Sequence, residues 1–167
     1  MSRAIHVGPW RIDLTVRDGV TSPVSGIGLA RAVGAALDVA AAADRAPSPA
    51  SIGLILSDDA ELADLNREHM GKRGPTDVLS FPVFDATFPL PPGRRPHLGD
   101  IVVSVERAID QAGAGRGGQT GDVHWDAGDE LRLLVTHGTL HVCGWDHAEP
   151  EEEAAMRALE RRLLARD

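Results

Sequence analysis

Hydrophobic residues recur along this chain at strand spacing in some stretches and at helical spacing in others, and together these patterns predict a mixed order of strands and helices. Ile12, Leu14 and Val16 alternate with polar neighbours, which predicts one or two strand segments over residues 3–17. The Ala-rich stretch 25–43 carries larger apolar residues at helical spacing and predicts a helix. Further strands are predicted at 51–56, 78–84 and 101–105. A short helix is predicted after an N-cap at Asp58 or Asp59, and longer helices are predicted at 104–112, at 128–142 and from Pro150 onward.

Two stretches lack this periodicity and predict loops within one domain. The segment 89–96 is rich in proline and should be an exposed loop. The segment 113–126 is rich in glycine, and its glycines at 113, 115 and 118 match the G-x-G-x-x-G pattern of dinucleotide sites. That site needs a strand before it, whereas a helix is predicted here, so we interpret the segment as a linker and expect no nucleotide cofactor. The sequence predicts a single α+β domain over residues 1–167.

Composition narrows the class of protein. With 167 residues, of which 43% are hydrophobic, the chain can build one core but is short for two domains. Cys143 is the only cysteine, so a fold held by intrachain disulfides is excluded. Neither a membrane-length apolar run nor a signal peptide is visible, and we expect a cytoplasmic protein without membrane association. The net charge of −8 argues against broad attraction to nucleic acid but leaves room for a local basic groove.

Three histidines near the C-terminus form the clearest candidate site. His137 and His141 are four residues apart in the predicted helix, so they stand one above the other, about 40° apart around its axis. Gly144 permits the sharp reversal that would bring His147 back to the same point. Three neutral imidazoles leave a fourth position for water, which is typical of a catalytic zinc site. We predict one zinc ion per chain, although nickel, copper and iron also suit such ligands.

The neighbours of these histidines limit the chemistry. Gly138 stands where the zinc proteases of the H-E-x-x-H pattern carry their general base, so proteolysis is disfavoured. Asp146 could orient an imidazole or act as a base on a metal-bound water, and a turn-forming role is an equal alternative. Cys143 points away from the histidines and is interpreted as a packed residue. Glu130 lies two turns away on the histidine face and is expected to be a solvated cap residue, with contact to a metal-binding histidine or to substrate as the alternatives.

Three blocks of sequence resemble the YbeY family of rRNA-maturation endoribonucleases. Residues 137–147 are similar to its H-G-x-L-H-x-x-G-[YW]-D-H signature. Residues 65–82 resemble L-N-x-x-Y-R-G-K-D-x-P-T-D-V-L-S-F-P, and residues 98–104 resemble L-G-D-I-x-I-S. The blocks occur in the family's order and cover about residues 50–150.

The resemblance implies a four-stranded sheet packed with helices, a three-histidine metal site in a cleft, and metal-dependent cleavage of single-stranded RNA. It also implies a role in 3′-end maturation of small-subunit rRNA and in ribosome quality control, with rRNA and the ribosome or small-subunit proteins as partners. One departure concerns the Tyr-Arg pair that precedes Gly-Lys in the family, which aligns here with His69 and Met70. The arginine expected to contact RNA is therefore missing at that position.

Positively charged residues near the second block could replace the missing arginine. Lys72 and Arg73 lie at the turn that launches the strand from residue 78, and Arg67 lies on the other side of the gap. These three residues are the predicted substrate-binding groups, because a cleft can be locally basic inside an acidic protein. Thr76 and Ser80 could hydrogen-bond substrate or cap local backbone.

Two rival functions remain open at this stage. The first is a ribosome-associated assembly factor with a structural metal and no nuclease activity, which the missing arginine and the charge of −8 favour. The second is hydrolysis of a small phosphorylated or amide substrate. Cleavage of RNA that depends on added metal would separate the nuclease from both.

Overall fold

The α+β architecture is confirmed by a computed structural model, which describes residues 1–114, 125–146 and 148–165. Within these residues five strands and five α-helices are found, together with one turn of π-helix at Asn66–Met70. The strands are β1 (Ser2–Val7), β2 (Trp10–Val16), β3 (Ala50–Ser57), β4 (Val78–Pro82) and β5 (His97–Ser104). The helices are α1 (Gly26–Ala42), α2 (Asp59–Leu65), α3 (Val105–Gly113), α4 (Ala127–Val142) and α5 (Pro150–Leu164).

The strands form one mixed sheet in the order β1-β2-β3-β5-β4. Strands β2, β3 and β5 run parallel, whereas β1 and β4 pair antiparallel to β2 and β5 at the two edges. The described sheet therefore has one strand more than the four that the resemblance implies. The reason lies in residues 3–17, which fold as a hairpin of two full strands in which Val7 pairs with Trp10.

The main core lies between one face of the sheet and the helices α1, α4 and α5. Alternate side chains of the parallel strands, among them Ile12, Leu54 and Ile101, are fully buried against this layer. On the opposite face Leu62 of α2 covers Leu79 and Val102 in a smaller cluster. Helix α4 packs against the sheet close to the edge strand β4, and the histidine pair of α4 lies at this contact.

Four of the five described α-helices, α1 to α4, begin at side-chain caps. Ser25, Asp58 and Ser104 each accept a hydrogen bond from a backbone N–H in the first turn, and Asp126 and Asp129 form a reciprocal capping box. The predicted cap of α2 is therefore Asp58 and not Asp59. Helix α4 runs to Val142, and Gly144 follows at a φ of 96°, as the glycine stop predicts.

The two predicted loops have different outcomes. Residues 83–95 are exposed and contain no strand or helix, which confirms the proline-rich loop. Strand β5 then begins at His97, earlier than expected, because Leu98 is already buried in the core. Gly113 is the last residue of α3, while Gly115 and Gly118 of the glycine-rich pattern lie outside the described residues. In the described part of the chain no helix is long and apolar enough to cross a bilayer.

Candidate metal and RNA site

A cleft between β4, helix α4 and the segment after the π-turn gathers most of the predicted site residues. His137, His141 and Asp146 line it from α4 and the turn that follows. The opposite wall contains three further residues singled out from the sequence: Lys72, Thr76 and Ser80. Residues distant in sequence thus share one surface.

The rings of the two described histidines pack edge to face. The ring centroids of His137 and His141 lie 4.6 Å apart at an interplanar angle of 77°, as expected for two imidazoles one turn apart on a helix. Both side chains are half-buried, because α4 packs against the sheet on one side and opens to the cleft on the other. His147, the third predicted ligand, lies outside the described residues. In residues 1–114, 125–146 and 148–165, no three His, Cys, Asp or Glu side chains form a group that could hold a metal ion.

A glutamate from the last helix stands behind His137. Nδ1 of His137 lies 2.5 Å from Oε1 of Glu160, and Glu160 is only 8% exposed. Because a carboxylate oxygen accepts, the imidazole donates through Nδ1 and keeps its lone pair on Nε2. An imidazole that carries its lone pair on Nε2 and lines a cleft beside a second imidazole has the donor chemistry that zinc and similar ions require. The described part of the site therefore fits a divalent metal.

Gly138 lets the helix lie directly on the sheet between its two histidines. A Cβ atom there would stand 2.7 Å from Cγ2 of Ile101 and 3.2 Å from Cγ2 of Val78. The backbone carbonyl of Gly138 accepts a hydrogen bond of 3.0 Å from the Ser80 hydroxyl, which fastens β4 to α4. The contact supports the backbone-capping alternative for Ser80. A glutamate at this position, as in the zinc proteases, has no space.

The Gly138→Ala variant should be less stable by about 1–2 kcal/mol. Overpacking of a tight contact costs about 1–3 kcal/mol, and the better helix propensity of alanine offsets up to about 1 kcal/mol of that. Denaturant unfolding measures the difference. The matched control is Gly128→Ala on the same helix, where the nearest atoms would be 3.2 Å away, and a control loss as large as that of Gly138→Ala would contradict the steric explanation.

Lys72 is brought to the cleft by a short loop that Asn66 holds in place. The side chain of Asn66 is buried and donates through Nδ2 to the carbonyl of Gly74 at 3.0 Å, and the backbone N–H of Lys72 donates to the carbonyl of Asn66 at 3.3 Å. The turn of π-helix immediately before this loop is a geometry that occurs often at functional sites. Among the described cleft-lining residues Lys72 is the one Lys or Arg.

The other two predicted substrate-binding residues, Arg67 and Arg73, lie outside the cleft. The guanidinium of Arg67 lies 3.2 Å from Oδ1 of Asp64, and both side chains are more than 60% exposed. Arg73 is exposed, and neither arginine lines the cleft. Any help that they give to substrate binding would act through the surrounding field, which salt screens.

Two other residues near the histidines have settled positions. Cys143 is buried, and burial raises the pKa of its thiol to about 11, which makes the thiolate needed for metal binding unfavourable. This supports its interpretation as a packed residue. Glu130 is 0% exposed and accepts a hydrogen bond of 3.0 Å from Nε1 of Trp125, so the expectation of a solvated residue was wrong. Trp125 contacts this end of α4, and α3 also packs against the helix, which the helix's own periodicity did not indicate.

The family model described as "Endoribonuclease YbeY" matches residues 21–166 of the chain. The chain belongs to the endoribonuclease YbeY family. The match includes all of the cleft and every predicted site residue, and it confirms the resemblance inferred from the three blocks of sequence. This is a family of metal-dependent enzymes, which agrees with the histidine pair in the cleft.

Individual relatives support the same assignment. The endoribonuclease YbeY of Mycolicibacterium paratuberculosis is 42% identical over 146 residues, which cover 83% of this chain and 72% of the relative. That of Symbiobacterium thermophilum is 42% identical over 120 residues, covering 71% of this chain and 72% of the relative. That of Mycobacterium tuberculosis is 44% identical over 123 residues, covering 69% of this chain and 63% of the relative.

A solved structure agrees in fold. A Thermotoga maritima protein determined in solution superposes with a TM-score of 0.50 at 21% identity, over 90% of this chain and 88% of that one. The resemblance aligns the family's arginine with Met70, whose half-exposed side chain lines the cleft. The preceding His69 makes an edge-to-face contact with Phe81, with 5.1 Å between ring centroids.

Sequence reasoning missed Glu160. The last helix is predicted from Pro150 at its start, and its apolar stripe consists of Met156, Leu159 and Leu163. Glu160 lies four residues after Met156 and three before Leu163, so a charged side chain stands on the buried face of an amphipathic helix. That conflict with the apolar pattern is the signal that could have found it, since a buried carboxylate needs a partner.

Proposed function

We propose that this protein hydrolyses phosphodiester bonds in single-stranded RNA with the help of one divalent metal ion. The endoribonuclease class follows from the family, and the relatives named above are endoribonucleases. The observation that carries the metal-dependent part is the His137–His141 pair, 4.6 Å apart in a cleft whose opposite wall carries Lys72.

In this proposal His137, His141 and His147 hold the ion, and zinc is the ion that three neutral imidazoles suit well. When bound, such an ion supplies Lewis acidity toward a phosphoryl oxygen and lowers the pKa of water to about 7. The glycine stop at Gly144 ends the helix and turns the chain immediately before Asp146. This turn supports a third ligand close to the other two, because the chain reverses within three residues of His141.

The remaining residues bind and orient the RNA. Lys72 attracts the phosphate beside the scissile bond, since it is the charged group on the wall opposite the histidines. Asp146 is exposed, lines the cleft and is our candidate to receive the proton of the attacking water. Arg67 and Arg73 add positive potential near the entrance of the RNA strand without lining the cleft. No glutamate can serve as a base at position 138, because the sheet occupies that space.

The cellular role proposed is 3′-end maturation of small-subunit rRNA and ribosome quality control. The substrate is then single-stranded rRNA, and the partners are the ribosome or its small-subunit proteins. Ribosome assembly takes place in the cytoplasm of bacteria, which is the compartment that this role requires.

A metal-titrated cleavage assay tests the function. Purified protein should cleave single-stranded RNA after addition of Zn²⁺, should stop after addition of a chelator, and should leave duplex RNA of the same sequence intact. The His137→Ala protein, prepared in parallel, controls for contaminating nuclease. Bound metal without RNA cleavage would favour the assembly-factor function. Turnover of small phosphorylated or amide compounds, without RNA cleavage, would favour hydrolysis of a small substrate.

Lys72→Ala should weaken RNA binding and leave metal binding unchanged. Removal of one phosphate contact is expected to raise KM and to reduce the slope of log affinity against log salt by about 1. Filter binding at a series of salt concentrations, with zinc content measured on the same samples, gives both quantities. The matched control is Arg31→Ala on α1, which changes the net charge equally at an exposed position outside the cleft. Equal losses in the two variants would contradict a local role for Lys72.

A further inference from the structure

The buried carboxylate of Glu160 has a position that core packing does not explain. It lies on the face of α5 that carries the buried Met156 and Leu163, and its fractional exposure is 8%. Removal of an ion from water costs several kcal/mol, and this cost is tolerated where a hydrogen-bond partner and a nearby positive charge compensate it. Among the described residues its partner is Nδ1 of His137, at 2.5 Å.

The contact also fixes the state of the imidazole. With Nδ1 donating to the carboxylate, the neutral ring can accept a cation only through Nε2, and the ring cannot rotate about its Cβ–Cγ bond without breaking the hydrogen bond. Metal-bound histidines commonly have such a carboxylate on their second nitrogen, where it orients the ring and raises its basicity. His137 lines the cleft on one side and meets Glu160 on the other.

We propose that Glu160 is a positioning residue for the metal site, which locks His137 with its Nε2 toward the cation and supplies the negative charge behind it. The inference rests on the proposed metal-binding function of His137. It assigns to α5 a part in the site, although the predicted ligands belong to α4 and the turn after it. Asp146, which the sequence suggested for such a role, is exposed and lines the cleft.

The test compares metal affinity with the stability of the metal-free protein. Zn²⁺ affinity is measured by competition with a chromophoric chelator for the unmodified protein, Glu160→Gln, Glu152→Gln and His137→Ala. Glu160→Gln should bind Zn²⁺ about 10–100-fold more weakly, as loss of such a partner typically does. The visible spectrum of the Co²⁺-loaded variant should also change, because the ring has lost its fixed orientation. Glu152→Gln removes a carboxylate from an exposed position of the same helix and should match the unmodified protein.

Unfolding of the chelator-treated proteins separates positioning from structural support. The metal-free Glu160→Gln protein should unfold at the same or a higher denaturant concentration, since a buried charge has been removed. A lower midpoint with unchanged Zn²⁺ affinity and Co²⁺ spectrum overturns the inference and leaves a structural hydrogen bond. Loss of binding in His137→Ala with full affinity in Glu160→Gln overturns the inference alone. Absence of metal binding in the unmodified protein, or full affinity in His137→Ala, overturns the proposed function and this inference with it.

Discussion

His141→Ala should lose both bound metal and RNA cleavage. Substitution of a group that only orients a ligand already costs about 10–100-fold in affinity or activity, so loss of a ligand itself should cost at least about 100-fold. Two donors would then remain of the proposed three, and a zinc ion held by two imidazoles exchanges readily with solvent. Elemental analysis of the purified protein and cleavage of a labelled single-stranded RNA measure the two effects on the same preparation.

Cys143→Ala provides the control for this variant. The residue lies two positions after His141 at the end of α4, is buried, and has a thiol whose pKa is raised to about 11. Its substitution should leave one metal per chain and unchanged cleavage, since the thiol takes no part in binding. Full activity in the folded His141→Ala protein would refute the metal assignment, and loss of metal in Cys143→Ala would require a different ligand set.

Gly99→Ala should be the most destabilising of the substitutions considered, at about 2–6 kcal/mol. The residue has a φ of 155° and pairs with Pro82 across β4 and β5, and an added Cβ would overlap the carbonyl oxygen of Phe81 and stand 3.0 Å from Cα of Pro82. Strained backbone conformations cost about 1–3 kcal/mol, and overpacking against a neighbour that cannot rotate away adds about 1–3 kcal/mol. Urea unfolding of the metal-free protein gives the difference directly.

Gly113→Ala is the matched control. Gly113 ends helix α3, and among the described residues no atom from outside the local helix lies within 4 Å of a Cβ built there. This variant should be neutral or slightly more stable, because alanine is the better helix former. If Gly99→Ala unfolded at the same urea concentration as the unmodified protein, the close approach of β4 to β5 would not be a constraint on the sheet.

The position of the histidine pair could be predicted from the sequence because the information is local. Spacing of four residues places two rings on one side of a helix, and the glycine stop at Gly144 ends that helix, whatever the rest of the chain does. Strand and helix order followed from periodicity for the same reason. The same alternation predicts one or two strand segments over residues 3–17 but not the hairpin of β1 and β2, since pairing of neighbouring strands is not encoded in their alternation.

Features that depend on contacts between distant segments were not predictable from a single sequence. Glu160 and His137 are 23 residues apart in the chain, and only the crossing of α5 over α4 brings them together. The helical pattern predicts a solvated Glu130 because it cannot show that this side chain is buried and accepts a hydrogen bond from Trp125. Among the predicted cations, Lys72 reaches the cleft because Asn66 fastens its loop to Gly74, a contact that no periodicity indicates.

The close packing of α4 against the sheet at Gly138 limits which new activities can evolve at this site. Zinc peptidases carry their proton acceptor one residue after the first ligand, and on this scaffold that position faces the side chains of Ile101 and Val78. A single substitution cannot convert the site to amide hydrolysis, because the new carboxylate would first have to push a strand aside. Diversification of this catalyst therefore has to come from the opposite wall of the cleft, where loops are free to change sequence without disturbing the ligands.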